Sequence, residues 1–272
     1  MAGFSVSSAE RCLTIVELLA AHPEGMPLTG LSTALDLPQS AVHRLLAVLV
    51  QKGYVRQDEG TGRYVPTLAI AALGLRLLSA WNIPEVCQPT LDRLAERTGE
   101  LVRLAVVEGG RLLWMAKAQG SRSSLRYDPI TGRDVPLHVT SMGKAWLATL
   151  PVDEAVATVL ERGFGGDLIG PNAIRDEAAL RTELKVTKAR GYGMVREEAE
   201  PGVCAVAAVV RNGAQPGAPP AAALSIAGPT FRLTEDRLEG FVPLLRHAAA
   251  ELSQLWPVRV FQEARQASPR VA

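Results

Sequence analysis

Residues 29–53, TGLSTALDLPQSAVHRLLAVLVQKG, decide the fold of the first part of the chain. They predict two short helices joined by a tight turn at residues 36–38. In the second helix, apolar residues recur at intervals of three and four, the spacing of a buried helical stripe: Val42, Leu45, Leu46, Leu49 and Val50. The opposite face carries polar side chains that can hydrogen-bond to another molecule: Gln39, Ser40, His43 and Arg44. Such a helix suits DNA recognition, but an ordinary amphipathic surface helix has the same pattern.

The segments around these two helices favour DNA recognition. An S-x-x-E capping box at residues 7–10 predicts a further helix before them. Two short strands are predicted at residues 54–57 and 63–65, around a glycine-rich turn. Three helices followed by a hairpin predict a winged helix-turn-helix. Its helix after Pro38 is expected in the major groove, with Arg63 of the hairpin on the phosphate backbone.

Composition and charge set wider limits. The chain has 272 residues, of which 47% are hydrophobic, enough to bury a core in one large or two modest domains. The net charge is only +1, so no strong global field attracts nucleic acid. Residues 1–80 hold six Lys or Arg and six Asp or Glu. This balance speaks against DNA binding unless the basic side chains share one face.

The three cysteines, Cys12, Cys87 and Cys204, are widely spaced, and no CxxC or Cys/His cluster accompanies them. The spacing indicates neither a zinc site nor a disulfide framework, and we expect no metal or other cofactor. The first residues lack the basic region of a secretory signal, and no uncharged apolar run approaches the ~18 residues of a membrane span. We therefore expect a reducing, cytoplasmic setting and no membrane partner.

Residues 67–81, TLAIAALGLRLLSAW, predict an unusually apolar helix. Its large apolar side chains cover nearly the whole circumference, and Arg76 is its only charge. Such a helix must bury more than one face, against a second copy of the chain or against the domain that follows. We predict four segments: a winged helix-turn-helix at residues 1–66, a linker or dimerisation helix at 67–83, a second domain at 84–257 and a tail at 258–272.

The second domain alternates between helix and strand signals. Two strands flank the turn Gly109-Gly110, and the chain closes with a helix that has Thr234 as its predicted N-cap. Further helices lie between the strands. The strands are predicted at residues 101–107, 111–119, 124–127, 192–197, 203–211 and 221–228. The pattern indicates an α+β fold with a mostly antiparallel sheet.

Four stretches together resemble the IclR family of bacterial transcriptional regulators. They are LPQSAVHRLLAVLVQKGYVRQDEGTGRYV from Leu37, VPLHVTSMGKAWLA from Val135, ARGYGMVREEAEPGV from Ala189 and AALSIAGP from Ala222. The resemblance implies a winged helix-turn-helix, a linker helix used in dimerisation and an effector-binding domain of GAF/profilin-like α/β fold. It also implies a dimer or tetramer that binds palindromic operators in double-stranded DNA under control of a small carboxylic or aromatic acid. Repression is the expectation, although the sequence does not separate a repressor from an activator.

Within this resemblance, the expected DNA contacts are specific. Arg44 can donate two hydrogen bonds to a guanine edge or clamp a phosphate. Gln39 can read adenine, and Ser40 suits a phosphate at the helix N-terminus. The alternative is that His43 and Arg44 only decorate a solvated face. Arg63 is expected to touch the DNA backbone rather than the bases.

Residues 140–143 predict the start of a helix directly after a strand-like run. The N–H groups at such a start can hold a carboxylate, which makes this stretch a candidate for effector binding. Plain helix capping by Thr140 or Ser141 is the alternative. His138 precedes the stretch, and because no nucleophile or acid accompanies it, we expect a structural role rather than a catalytic one.

The resemblance places ten residues in the effector pocket: Ser124, Tyr127, Val135, Ser141, Met142, Val195, Val203, Ala205, Ser225 and Ala227. The chain departs from its glyoxylate- and pyruvate-sensing relatives, which have an acid at the position of Val195, a cysteine at that of Ala205 and a serine at that of Ala227. Cys204 is one residue out of register and should face the other side of its strand. We therefore expect a larger and more apolar ligand than a two-carbon acid, such as an aromatic carboxylate.

Two other classes of function stay open. A small hydrolase would use the α/β domain, but no G-x-S-x-G elbow, GxGxxG or metal-ligand spacing supports an enzyme. An architectural DNA-binding protein would use that domain only to oligomerise. Ligand-dependent shifts in thermal stability would separate this second alternative from a sensor.

Overall fold

The computed structural model describes residues 7–123, 126–127, 132–165 and 169–256. The chain divides into two compact units between Ala80 and Trp81. The helices and strands of the first part are α1 (Ser8–Ala21), α2 (Leu28–Leu35), α3 (Gln39–Gln51), β1 (Val55–Gln57), β2 (Tyr64–Pro66) and α4 (Leu68–Trp81).

Local sequence signals set the ends of the first elements. The predicted capping box is present at α1, where Ser7 Oγ accepts from the Glu10 N–H at 3.2 Å and the Ser7 N–H donates to Glu10 Oε2 at 2.7 Å. The turn between α2 and α3 begins at Asp36, whose φ of 50° lies in the left-handed region. β1 and β2 pair antiparallel. Three helices and a hairpin confirm the winged helix-turn-helix.

The stripe on α3 is buried as predicted at Val42, Leu46 and Leu49, which pack against α1 and α2. The prediction was wrong for Val50, which is 41% exposed. Val50 lies eight residues after Val42, and at about 100° per residue it sits roughly 80° around the helix from it. It therefore lies at the margin of the apolar face.

The apolar helix predicted at residues 67–81 forms as α4. None of its residues is buried, and Leu75 and Leu77 are 63% and 52% exposed. The expectation that it buries more than one face is thus not met within a single chain. Within the described residues, the helix leaves much of its apolar surface exposed.

The second unit holds α5 (Ile83–Thr98), β3 (Leu101–Glu108), β4 (Arg111–Gln119), α6 (Ser141–Leu147), α7 (Val152–Leu160), α8 (Glu177–Arg190), β5 (Gly193–Arg196), β6 (Val203–Arg211), β7 (Pro220–Pro229) and α9 (Glu235–Leu255). Five strands form one antiparallel sheet in the order β4-β3-β7-β6-β5. Mixed helices and an antiparallel sheet confirm the α+β fold. The strand predicted at residues 124–127 is absent at Arg126 and Tyr127, and Ser124 lies outside the described residues.

Both faces of the sheet are covered, so its strands are apolar on both sides. Val102 and Leu104 face α5 and α9 in one core cluster, where Leu91 and Leu245 are also buried. Ala105 faces the opposite cluster, which α6, α7 and α8 complete. Cys204 belongs to the first cluster, as its register predicted.

Two glycines let α6 approach its neighbours. A Cβ atom on Gly143 would stand 2.2 Å from the Leu137 carbonyl oxygen, and one on Gly193 would stand 2.0 Å from the Ser141 carbonyl oxygen. Backbone atoms cannot yield at such distances, so only glycine allows these contacts. Gly143 therefore lets α6 lie close to the segment before it, and Gly193 lets the start of α6 lie against the edge strand β5.

Candidate DNA-binding and effector-binding sites

The polar face of α3 is the candidate DNA-binding surface. Its four predicted residues are all exposed, on the side opposite the buried stripe: Gln39, Ser40, His43 and Arg44. Pro38 is the N-cap residue, and it makes no side-chain cap hydrogen bond. Because the N-terminal end of a helix carries a partial positive charge, it suits a phosphate beside Ser40.

The arginines of the hairpin are held by partners within the first unit. Arg63 Nε donates to the Gly25 carbonyl at 3.0 Å, so its guanidinium is tied to the turn after α1. Arg56 Nη1 lies 3.3 Å from Asp58 Oδ2. Hydrogen bonds from Thr61, together with Arg56, lower the pKa of Asp58. These contacts stiffen the hairpin and orient its cations.

A small cavity of about 40 Å³ lies on the face of the sheet beside α6. Eight of the ten residues predicted for the effector pocket line it: Tyr127, Ser141, Met142, Val195, Val203, Ala205, Ser225 and Ala227. Val135 does not line the cavity; it is buried in the core cluster beside Leu112, to whose carbonyl its N–H donates at 2.8 Å. Ser124 lies outside the described residues. The structure thus brings together residues from distant parts of the sequence.

Sequence reasoning missed four residues of the cavity wall: Arg103, Trp114, Val139 and Ala199. Thr140, which also lines the cavity, lies in the stretch 140–143 that the sequence had singled out. Arg103 matters most, because it is only 3% exposed and its guanidinium lies 3.7 Å from the centre of the Trp114 ring. A signal existed in the sequence. Arg103 is a charged side chain within the apolar run LVRLAVV of β3, and a charge is rarely buried in a core unless it is paired or serves a site.

Burial lowers the pKa of Arg103 to about 10, while the nearby Tyr127 and Glu200 act in the opposite direction. The guanidinium therefore stays charged at neutral pH. Tyr127 Oη donates to Glu200 Oε1 at 2.9 Å, and burial raises the pKa of Tyr127. The lining of the cavity thus combines a cationic and aromatic part with small apolar side chains.

Comparison with known families agrees with both units. Residues 8–59 match the model of the IclR helix-turn-helix domain, and residues 75–254 match that of the bacterial transcriptional regulator IclR C-terminal domain. The chain belongs to the IclR family.

The similarity to individual relatives extends over nearly the whole chain. The transcriptional repressor IclR of Escherichia coli (strain K12) is 30% identical over 254 residues, which cover 91% of this chain and 89% of the repressor. The crystal structure of the Thermotoga maritima IclR is 25% identical, with a TM-score of 0.68 and coverage of 90% and 97%. A homologue from Microbacterium hydrocarbonoxydans, solved in complex with 4-hydroxybenzoate, has the same fold at 23% identity, with a TM-score of 0.70 and coverage of 91% and 98%.

The IclR relatives are transcriptional regulators, and the helix-turn-helix domain implies DNA binding. Within the described residues, no helix is both long and apolar enough to cross a membrane. No group of three or more His, Cys, Asp or Glu side chains suited to a metal ion occurs in that part of the chain either.

The start of α6 is satisfied by its own N-cap. Thr140 Oγ1 accepts from the Gly143 N–H at 3.1 Å, and the Lys144 N–H bonds to the Thr140 carbonyl at 3.0 Å. The alternative of plain capping therefore accounts for the Gly143 N–H. The helix spans only seven residues, Ser141–Leu147.

Two buried ionisable groups lie next to the cavity wall. Lys144 Nζ lies 2.7 Å from Glu198 Oε1 and 3.4 Å from Glu183 Oε1, which links α6 to α8 and to the segment after β5. His138 packs edge-on against Phe164, with ring centres 5.3 Å apart. Burial lowers the pKa of His138, so the ring is neutral at neutral pH. Both contacts join neighbouring segments of the second unit and are structural in kind.

Proposed function

We propose that the chain is an operator-binding repressor whose DNA binding is controlled by a small organic acid, aromatic in character, bound in the cavity of the second unit. The observation that carries this proposal is the buried guanidinium of Arg103 against Trp114. A desolvated guanidinium gains most from a carboxylate, which can accept two parallel hydrogen bonds from it.

Aromatic character is supported by the rest of the wall. Trp114, Tyr127 and Met142 offer ring and thioether surface, while Val195, Ala205 and Ala227 add small apolar side chains. A planar ring beside such groups removes apolar area from water, and its carboxylate meets the cation. That a protein of the same fold was solved with 4-hydroxybenzoate is consistent with this ligand class.

The ligand must enlarge the cavity. Its 40 Å³ holds little more than one water molecule, whose share of liquid volume is about 30 Å³, whereas ligand pockets span roughly 300–1,000 Å³. Opening requires displacement of side chains, and Tyr127, which lines the cavity and bonds Glu200, is a candidate to move. We propose that the carboxylate of the effector takes over the electrostatic role that Glu200 has for Arg103 in the closed state.

On the DNA side, we propose that two copies present their α3 helices to the half-sites of a palindromic operator, as dimers or tetramers. Arg44 and Gln39 would read bases, and Ser40, His43 and Arg63 would contact phosphates and position the helix. The exposed apolar surface of α4 supports pairing through this helix. The cytoplasm, which holds the chromosome, is the expected compartment.

The effector proposal is tested by calorimetry on the full chain with benzoate, 4-hydroxybenzoate and glyoxylate. We expect the aromatic acids to bind and glyoxylate not to bind. Arg103→Met should weaken binding of the aromatic acids by about 2–5 kcal/mol, because it removes one partner of a buried charged pair. Arg181→Met, a change at a partly exposed arginine on the surface of α8, is the matched control and should bind normally.

DNA binding is measured in parallel by gel shift, with a fragment that the protein selects from a random pool. Arg103→Met should retain this binding and lose its response to the aromatic acid. Tight binding of glyoxylate with none of either aromatic acid would contradict the proposed ligand class. A chain that binds no DNA fragment at all would contradict the repressor proposal instead.

A further inference from the structure

A large groove lies at the open edge of β6. β5 pairs with β6 only as far as Ala207, opposite Gly193, while β6 continues to Arg211. The Arg211 N–H donates away from β7, to Ser253 Oγ of α9 at 2.9 Å. Backbone direction alternates along a strand, so the N–H and C=O of Val209 face the same open edge. The sheet thus ends in a gap between α6, α8 and α9.

The gap has the dimensions of a ligand site. Its volume is about 690 Å³, within the range of roughly 300–1,000 Å³ that is common for small-molecule pockets. Ten of its 22 lining residues are Ala or Gly, which leave space that larger side chains would fill. Ala145 and Ala148 form one wall, Ala249 and Ala250 the other, and the loop around Gly213 the rim.

The charge of this groove is one-sided. Its lining includes Lys188, Arg211 and Arg246 and no carboxylate. The two arginines are oriented by neutral partners: Arg211 Nη1 donates to the Ala218 carbonyl and Arg246 Nη2 to the Arg190 carbonyl, each at 2.7 Å. Throughout the described part of the chain, none of the three cations forms an ion pair. The groove therefore carries a local excess of three positive side chains, although the net charge of the whole chain is only +1.

Helix ends reduce this charge without cancelling it. The carboxyl ends of α6 and α8 reach the groove at Ala148 and Gly191. Each such end carries about half a negative charge, so the two offset roughly one of the three cations. A net charge near +2 favours a ligand with at least two negative charges. The open edge is short, with only Ala208–Val210 beyond β5, which disfavours an added peptide strand and favours a small molecule.

We propose that this groove is a second ligand site, which binds a small organic polyanion with two or more phosphate or carboxylate groups. Lys188, Arg211 and Arg246 neutralise the anionic groups, and the alanine walls contact the carbon skeleton. The site is separate from the effector cavity, which Val203 and Ala205 line at the other end of β6. It does not depend on the proposed effector or on the operator.

The test is calorimetry of the full chain with inorganic triphosphate and, separately, with citrate. Ionic strength is held constant because screening weakens all such contacts. We expect saturable binding of at least one probe with a Kd below ~1 mM, and the probe that binds distinguishes phosphate from carboxylate ligands. Lys188→Gln should weaken that binding about tenfold, since it removes one charge-assisted contact.

Lys185→Gln is the matched control, because this exposed lysine lies one turn earlier on α8 and outside the groove. Arg44→Gln, on α3, should also leave the binding unchanged, which checks that the probe does not bind the polar face of α3 instead. Arg246→Gln provides a second groove variant, and its thermal unfolding shows whether it is folded. Binding of neither probe, or binding that Lys188→Gln and folded Arg246→Gln leave unchanged, would overturn the proposal.

Discussion

Lys144 is a buried cation that depends on its two carboxylate partners. Replacing it by Met leaves Glu198 in the interior without its 2.7 Å partner, and Glu198 Oε2 already has no hydrogen-bond partner among the described residues. We expect Lys144→Met to lower the free energy of unfolding by about 3–5 kcal/mol at neutral pH, as measured by urea denaturation.

An exposed ion pair serves as the control for Lys144. Arg181 on α8 bonds Glu177 and Asp153 at the surface, and Arg181→Met should cost less than about 1 kcal/mol. Burial raises the pKa of Glu198, so this carboxylate can take up a proton in mild acid. The cost of Lys144→Met should therefore shrink as the pH falls. Equal costs for Lys144→Met and Arg181→Met would contradict the role of the buried pair.

The burial of His138 predicts that the free energy of unfolding depends on pH. Burial lowers its pKa from 6.5 in the folded chain, with Lys144 acting in the same direction. As the pH falls through about 6.5, the unfolded chain binds a proton that the folded chain refuses, so the free energy of unfolding decreases. The slope from this residue is at most about 1.4 kcal/mol per pH unit, down to the folded pKa.

His138→Gln should flatten the stability profile in this window, because glutamine does not titrate. Urea denaturation between pH 7.5 and 5, in steps of about half a unit, measures the difference between the two proteins. The exposed His22 provides the control, and His22→Gln should leave the slope unchanged. Parallel profiles of wild type and His138→Gln would exclude this histidine as the source.

At the scale of single residues, the sequence identified apolar lining more readily than the charged anchor. Tyr127, Met142 and Ala205 were placed in the cavity through the family motifs. Arg103 was not placed there, because an arginine in a strand usually lies at the edge of a sheet or on the surface. The charge within the apolar run of β3 was a signal, but β3 lies inside the sheet and both faces are covered, which the local sequence does not show.

At the scale of elements, the proposed role of α3 in DNA recognition predicts how operator binding responds to mutation. Arg44→Ala should weaken binding by about 1–3 kcal/mol if Arg44 reads a base, and the loss should be confined to sequences that carry the recognised base. Titration by fluorescence anisotropy with the selected operator and with a scrambled duplex measures both effects.

The control for Arg44 is a basic residue of the other unit. Lys185→Ala removes one positive charge far along the chain and should leave operator affinity unchanged. An equal loss on operator and scrambled duplex would make Arg44 a phosphate contact instead. Wild-type affinity would remove it from the interface altogether.

Elements with local signals were predictable, and those defined by distant contacts were not. α1 and α9 begin at the predicted caps, and β4 has the predicted bounds because Gly109 and Gly110 adopt the positive φ angles that the hairpin needs. Val135 was assigned to the cavity from the motif alone. The pairing of its N–H with Leu112 instead directs it into the core, and no local pattern encodes that partner.

At the scale of the whole molecule, α4 predicts the assembly state. Leu75 and Leu77 expose large apolar surface that a second copy would cover. Leu75→Glu with Leu77→Glu should shift the particle from a multiple of the chain mass to the 29.0 kDa monomer, because charges at an apolar contact remain unpaired. Sedimentation velocity across a range of concentrations measures the change.

Leu160→Glu is the control for this change, since Leu160 on α7 is also exposed, at 47%. It should leave the mass unchanged. A wild-type protein that is monomeric at all concentrations would contradict pairing through α4. The double variant should also bind the operator more weakly, because each copy then engages one half-site alone.

The small size of the cavity around Arg103 has a consequence for the speed of the proposed response. If the proposed enlargement precedes binding, the observed rate of association should rise with effector concentration and then level off at the opening rate. Above that concentration, more metabolite would not bring a faster release of the operator. The delay between the appearance of the effector and the first transcript would then have a lower limit set by the rate at which the cavity opens.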